Sequence, residues 1–190
     1  MTAVHAVHVG TSPAQDRKRL RLVRRVYFAV GLVVVISVSI FAYAYYSLGA
    51  SSARGLTLQL VQANRYFLGG TYPNRNVTLL FEIQVDSSSL LDVNISPRFS
   101  VAGEVASIGN ASFSSARVPA GGELVYNLRF SKNETTTGEI SDNVTVIGIQ
   151  MGGSVSSGLY SGTLQICARY QWIWNNLTGF RFDGQNCPNV

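Results

Sequence analysis

The sequence predicts a mainly β protein: a single antiparallel β-sandwich preceded by one N-terminal transmembrane helix. Two observations predict this fold class. An uncharged apolar run of 23 residues stands near the N-terminus, directly after a cluster of arginines. Beyond that run, apolar and polar residues alternate over many short stretches that are separated by turn-forming residues. We therefore divide the chain into a disordered tail (1–25), an anchor (26–48), a linker (49–55) and a sandwich (56–190).

The tail carries the whole net charge of the chain. Six of the fifteen basic residues and one of the ten acidic residues precede Val26, and the rest of the chain is neutral. A basic tail before an apolar run predicts a cytoplasmic N-terminus with all later residues outside the membrane. The high isoelectric point therefore gives no indication of nucleic-acid binding, and we expect no nucleic-acid partner.

The apolar run Val26–Leu48 is long enough to cross a bilayer as a helix. Its tyrosines near both ends, Tyr27, Tyr43 and Tyr46, suit the two headgroup regions. The long tail and the length of the run favour an uncleaved signal anchor. Small residues near Ala44–Ala50 also resemble a signal-peptidase site, so the alternative is a trimmed and secreted protein.

Sequons for N-glycosylation occur only after the anchor, on the side that the charge pattern predicts to be external. The six acceptors are Asn76, Asn94, Asn110, Asn133, Asn143 and Asn176. Two cysteines, Cys167 and Cys187, also follow the anchor. A cysteine pair in an oxidising compartment usually forms a bridge, so we predict a disulfide that fastens the C-terminal tail.

Strict alternation predicts two strands, Asn76–Val85 and Glu123–Ser131, each with one apolar face. Turn signals, among them Gly152-Gly153, separate the other predicted strands. Those strands are Leu56–Val61, Leu90–Ile95, Arg98–Val101, Val105–Ile108, Ser112–Val118, Asn143–Gln150 and Leu159–Trp174. Seven to nine short strands in this length of chain predict a sandwich of immunoglobulin-like shape.

The stretch Val77–Phe130 resembles a known family. Its first strand leads into the polar turn Asp86-Ser87-Ser88-Ser89, and Val118-Pro119-Ala120-Gly121-Gly122 precedes its last strand. This order is similar to the late-embryogenesis-abundant, LEA14-type domain, in which an Asn-Pro turn stands where this chain has Asp86–Ser89. The resemblance implies a seven-stranded sandwich, tethered by one N-terminal helix in membrane-anchored relatives, and no catalytic residues. A generic immunoglobulin-like surface module would show the same pattern.

The chemistry-bearing residues predict a non-enzymatic protein without a metal or cofactor. Both histidines, His5 and His8, lie in the tail, which leaves the sandwich without an imidazole base or ligand. The aromatic residues Tyr170, Trp172 and Trp174 share one strand face. They predict either core packing or an exposed interaction surface.

These observations predict an interaction module of the cell envelope, held outside the membrane by one helix. Its expected partners are the membrane, other envelope proteins or an extracellular polymer, and a second copy of the chain is a further candidate. The alternative is a secreted subunit, cleaved near Ala44–Ala50, whose freed N-terminal strand pairs with the sheet edge of the next molecule in a filament.

Overall fold

The structure is a computed structural model that describes residues 13–71, 76–103, 107–133, 144–173 and 179–182. The chain divides into two compact units, Met1–Ala44 and Tyr45–Val190. The first contains most of one long helix. The second contains the last turns of that helix and all the strands.

The helix α1 runs from Pro13 to Arg54. Its residues from Arg19 onward are long and apolar enough to cross a membrane, and the most apolar window is fully exposed. The helix begins well inside the tail that we predicted to be disordered, and it continues into the predicted linker (49–55) as far as Arg54. The linker prediction is wrong because Ser52 and Ala53 are buried, so this segment is packed helix.

In the described part of the chain nine strands follow the helix, and all of their pairings are antiparallel. They are β1 (Leu56–Phe67), β2 (Asn76–Ser87), β3 (Val93–Ala102), β4 (Ser107–Ser112), β5 (Ala116–Val118), β6 (Glu123–Asn133), β7 (Val144–Ser157), β8 (Tyr160–Ile173) and β9 (Gly179–Phe182). One sheet has the order β1-β2-β6. The other has the order β4-β3-β7-β8-β9, with β5 paired to the first half of β3. The predicted fold class, mainly β with antiparallel sheets behind one apolar helix, is confirmed.

The hydrophobic core lies between the inner faces of the two sheets. On β2 the predicted inward residues are all buried, from Val77 to Val85 at every second position. On β6 the predicted inward residues Tyr126 and Leu128 are also buried. On β1 the register shifts between Leu60 and Gln62, which turns the next inward position to Ala63. The apolar positions that alternate with polar ones in the sequence of these strands are therefore the positions that are buried in the structure.

Several strand boundaries differ from the prediction; the predicted strand Ser112–Val118, for example, is divided between the end of β4 and β5. The segments Leu90–Ile95 and Arg98–Val101 are not two strands, since Val93–Ala102 is continuous through Pro97. Gly152-Gly153 is not a turn but the middle of β7, paired with Arg98 and Pro97 of β3. A β-carbon on Gly153 would overlap the Ser96 carbonyl oxygen, so this glycine permits a close approach of two strands.

The end of α1 packs on the β7–β8 hairpin within the second unit. The rings of Tyr46 and Tyr160 lie edge to face, with centroids 5.6 Å apart. A β-carbon on Gly49 would overlap the Ser157 carbonyl oxygen, so the helix backbone rests against the hairpin backbone. The last turns of the helix are therefore part of the sandwich's own packing.

Candidate functional site

A large concave surface lies on the outer face of the larger sheet. Side chains alternate across a strand, so the residues between the buried positions of β3, β7 and β8 face outward together. On β3 these are Ser96, Arg98 and Ser100, and on β8 they include Thr163 and Gln165. We call this surface the polar groove.

The polar groove has a volume of about 1150 Å³. It extends over four neighbouring strands, β4, β3, β7 and β8. Its lining residues are Ser96, Arg98, Phe99, Ser100, Asn110, Ala111, Ser112, Phe113, Gln150, Gly152, Gly153, Ser154, Thr163, Leu164 and Gln165. Hydroxyl and amide groups dominate this set, which gives the groove many hydrogen-bond donors and acceptors.

Small neighbours leave space around Arg98, the cation among the described lining residues of the groove. Arg98 pairs in register with Gly152 on one side and with Ser112 on the other. Neither neighbour carries a side chain long enough to cover the guanidinium, and Arg98 is exposed. The groove can therefore offer a planar, forked donor together with several hydroxyls and amides, a set that binds polar groups by hydrogen bonding.

The lining residues that the structure describes include no histidine, cysteine, aspartate or glutamate. Among those same described parts of the chain, His, Cys, Asp and Glu also form no group of three that could hold a metal ion. The groove thus offers binding chemistry, and its described lining holds no acid–base pair that could transfer a proton.

Two of the predicted glycosylation acceptors lie on the groove face. Asn94 is exposed at the start of β3, and Asn110 is exposed on β4 and lines the groove opposite Ser100. Asn76 is exposed at the start of β2, in the other sheet. Asn133 ends β6, and Asn143 and Asn176 lie outside the described residues.

Of the two interpretations of the aromatic residues on β8, the exposed surface is wrong for Tyr170. This side chain is 3% exposed and belongs to the core, where its hydroxyl donates a hydrogen bond of 2.8 Å to the Leu58 carbonyl oxygen. The packing interpretation therefore holds at this position. Trp172 lies on β8, and Trp174 lies outside the described residues.

The predicted disulfide involves one described cysteine. Cys167 is half-buried on β8, opposite Gln150 of the groove, and no free thiol occurs in the described parts of the chain. Its predicted partner, Cys187, lies outside the described residues, so the bridge between them stays a prediction.

Among the residues that the structure describes, Asp92 and Tyr126 have shifted pKa values, and neither lines the groove. The Ala120 N–H and then the Arg117 guanidinium hold the pKa of Asp92 below its usual value. Burial raises the pKa of Tyr126 to about 12. The Tyr126 ring packs against Phe99 and Phe113, at centroid distances of 5.1 and 4.9 Å.

Sequence reasoning missed the groove because its residues, apart from those in the sequons at Asn94 and Asn110 and the pair Gly152-Gly153, belong to no motif, and none of these indicates a binding site. The available signal was the outward half of the alternation: the serines and glutamines between the apolar positions of β3, β7 and β8. That signal indicates a solvated face, but the curvature that makes the face concave comes from strand pairing over long sequence distances.

Comparison with known proteins adds little to this geometry. No family model matches the chain, and no curated protein matches it. Among solved structures, a protein from Archaeoglobus fulgidus matches with 9% identity over 63% of this chain and 100% of that chain, at a TM-score of 0.34. The Northeast Structural Genomics Consortium target SoR45 matches with 5% identity over 73% and 93%, at a TM-score of 0.39.

Proposed function

We propose that this chain is a membrane-anchored, N-glycosylated and non-enzymatic interaction module of the cell envelope. In this proposal α1 holds a LEA14-like sandwich on the external side of the membrane. The polar groove is the face that contacts other envelope proteins or an extracellular polymer.

The observation that carries the proposal is the continuity between the helix and the sandwich. An apolar helix with exposed side chains continues without a linker into buried residues of the domain, such as Ala53. Exposed apolar side chains over this length are costly in water and favourable in a bilayer. A domain built on the last turns of such a helix stays at the membrane surface.

Two observed features support the external location, and the predicted disulfide is consistent with it. The arginines before the apolar run favour a cytoplasmic N-terminus. The described acceptors Asn76, Asn94 and Asn110 are all exposed, as sugar attachment requires. A bridge between Cys167 and Cys187 needs an oxidising compartment, and it would fasten the end of the chain to β8.

The chemistry of the groove supports a polar and extended partner. Its hydroxyls and amides can replace the hydrogen bonds that a hydroxyl-rich polymer makes with water. Sugars on Asn94 or Asn110 would stand on the same face and would compete with such a partner. Glycan occupancy therefore controls access to the groove in this proposal.

Labelling in intact cells tests the orientation. Thr163→Cys places a thiol on the groove, and Ser12→Cys places one in the tail. A membrane-impermeant maleimide should label the first variant in intact cells and the second only after lysis, with the parent chain as the background for Cys167 and Cys187. Labelling of only the tail in intact cells would overturn the proposal.

Binding to a polysaccharide extract of the native envelope tests the role of the groove. Arg98→Ala should weaken retention of the full chain by the immobilised polymer. Arg129→Ala is the matched control, because Arg129 is an exposed arginine on the other sheet. If both variants are retained as well as the parent chain, the groove has no role in the binding. If both variants lose the same amount of retention, the effect is a non-specific effect of charge.

The filament alternative receives less support. Its polymerising strand would be the one freed by cleavage near Ala44–Ala50, which is Leu56–Phe67. That strand is paired along its length with β2 of the same chain. Cleavage there would also remove Tyr46, which packs on Tyr160.

A further inference from the structure

At one end of the sandwich, two connections between strands lie next to the last turns of α1. A β-carbon on Gly158, in the β7–β8 turn, would lie 3.1 Å from the Tyr45 ring and 3.4 Å from Leu91. The Ser157 hydroxyl donates to the Asp92 carbonyl oxygen at 2.8 Å. The β2–β3 connection and the β7–β8 turn therefore lie side by side, next to the helix.

This end of the domain also presents two leucines to solvent. Leu90, in the β2–β3 connection, is 80% exposed, and Leu159, in the β7–β8 turn, is 58% exposed. Leu159 directly follows Gly158 in the chain, and Leu90 directly precedes Leu91, which lies next to Gly158. Tyr45 and Tyr46, with partly exposed rings, lie beside the same turn. We call these four residues the membrane-proximal patch.

We propose that the membrane-proximal patch sits in the headgroup region of the bilayer, with Leu90 and Leu159 inserted among the lipid chains near the surface. This inference rests on the proposed function, since it requires α1 to cross the membrane. It adds a second attachment, through which the sandwich itself contacts lipid.

The patch includes residues near the end of the apolar run itself, and this position indicates that lipid covers the patch. The apolar run of the anchor ends at Leu48, and tyrosines at a helix end favour the membrane interface. The ring of Tyr45 touches the β7–β8 turn directly, so the turn lies at the same level as that ring. Exposed leucines beside interfacial tyrosines are the side chains that partition into this region.

The charged groups at this end are compatible with that depth. Asp92 forms an ion pair with Arg117 and accepts a hydrogen bond from the Ala120 N–H at 2.8 Å. Asp86 and Glu123 both interact with the Gln84 amide, on the outer face of the smaller sheet. Polar groups of this kind remain hydrated at the headgroup level while neighbouring leucines lie deeper.

Fluorescence in vesicles tests the inference on the full chain. The variants Leu159→Cys and Leu90→Cys, which keep the natural cysteines, are each labelled with an environment-sensitive dye. They are then reconstituted into phosphatidylcholine–phosphatidylglycerol vesicles. A second set of vesicles contains nitroxide lipid labelled near the headgroup. We expect blue-shifted emission at both positions and a clear loss of emission with nitroxide lipid.

Leu68→Cys is the matched control. Leu68 has the same exposure as Leu159, 58%, but it follows the far end of β1. At the usual rise of a strand, twelve residues place it about 40 Å from the helix end. Its emission should stay unshifted and unquenched, and the labelled parent chain supplies the background from the natural cysteines.

A fourth label at Val34, in the apolar run, separates the two proposals. Quenching at Val34→Cys by nitroxide placed deep in the acyl chains, with positions 90 and 159 behaving like position 68, overturns the inference and leaves the anchor standing. No quenching at Val34→Cys overturns the anchor and the inference together. A blue shift at positions 90 and 159 without nitroxide quenching shows a protein contact and also overturns the inference.

Discussion

The Tyr170 hydroxyl donates a hydrogen bond of 2.8 Å to the Leu58 carbonyl oxygen, and this bond joins the two sheets. Tyr170 belongs to β8 of the larger sheet, and Leu58 to β1 of the smaller one. Tyr170 is 3% exposed and Leu58 is 1% exposed, so water does not compete for either group. The bond closes the side of the sandwich at which β1 has no further strand of its own sheet.

Tyr170→Phe should lower the stability of the sandwich. The change removes one buried hydrogen bond and leaves the Leu58 carbonyl oxygen without this donor, at a cost of about 1 kcal/mol. For a domain of this size the midpoint of thermal unfolding should fall by about 3 °C. Thermal unfolding of the full chain in detergent, followed by circular dichroism, measures the shift.

Tyr126→Phe is the control for that change. Tyr126 is also a buried tyrosine, but its hydroxyl has no hydrogen-bond partner in the described parts of the chain. Loss of an unpaired buried hydroxyl should leave stability unchanged or raise it. A similar loss of stability in both variants would show that aromatic packing, and not the bond to Leu58, accounts for the effect of Tyr170→Phe.

Tyr126 should also make the domain less stable in alkaline solution. Its pKa is about 12 in the folded chain because burial disfavours the phenolate, against an ordinary value of 10.0. Between these values the unfolded chain binds fewer protons than the folded chain, so the stability contribution is complete below pH 10 and is lost as the pH rises toward 12. Unfolding free energy measured by urea titration at increasing pH should fall less steeply for Tyr126→Phe than for the parent. Equal slopes would contradict the buried phenol.

Gly49→Ala should loosen the end of α1 from the β7–β8 hairpin. The new methyl group would overlap the Ser157 carbonyl oxygen, and both partners are backbone or fixed by backbone. Forcing such a group into a packed contact costs about 1–3 kcal/mol, which offsets the better helix propensity of alanine. Limited proteolysis after the helix and thermal unfolding both report the change.

Gly31→Ala is the matched control within the same helix. A β-carbon on Gly31 would meet no atom within 4 Å outside the helix backbone. This variant should behave like the parent in both measurements. If Gly49→Ala is as stable and as resistant to protease as Gly31→Ala, the close packing between the helix end and the hairpin is wrong.

Gly153→Ala should damage the larger sheet, while Gly152→Ala should be tolerated. A β-carbon on Gly153 would overlap the Ser96 carbonyl oxygen of β3, whereas one on Gly152 would lie 3.8 Å from the Leu164 carbonyl oxygen, an ordinary contact. We expect a loss of about 1–3 kcal/mol for the first variant alone. Urea unfolding of the two variants side by side measures the difference, and equal stability would contradict the close approach of β3 and β7.

Much of the fold follows from local patterns in the sequence. The alternation from Val77 to Val85 required a half-buried strand, because side chains one residue apart point to opposite faces. The run Val26–Leu48 predicted an apolar helix, because a helix satisfies all the backbone groups of a single long apolar segment within that segment. Both features depend only on neighbouring residues in the chain. For this reason the sequence predicted the fold class and the strands β2 and β6 correctly.

Only the tertiary structure decided how those elements meet. Gly152-Gly153 is a turn signal by local propensity, and the close approach of β3 made it the middle of a strand. The residues at 49–55 form a linker by composition, but 49–54 are the end of α1, where Gly49 lies against the β7–β8 hairpin and Ser52 and Ala53 are buried. The polar groove and the position of Tyr170 likewise depend on pairings between residues far apart in the chain. A local pattern fixes which way a side chain faces, but the partner that it faces is set by packing over the whole domain.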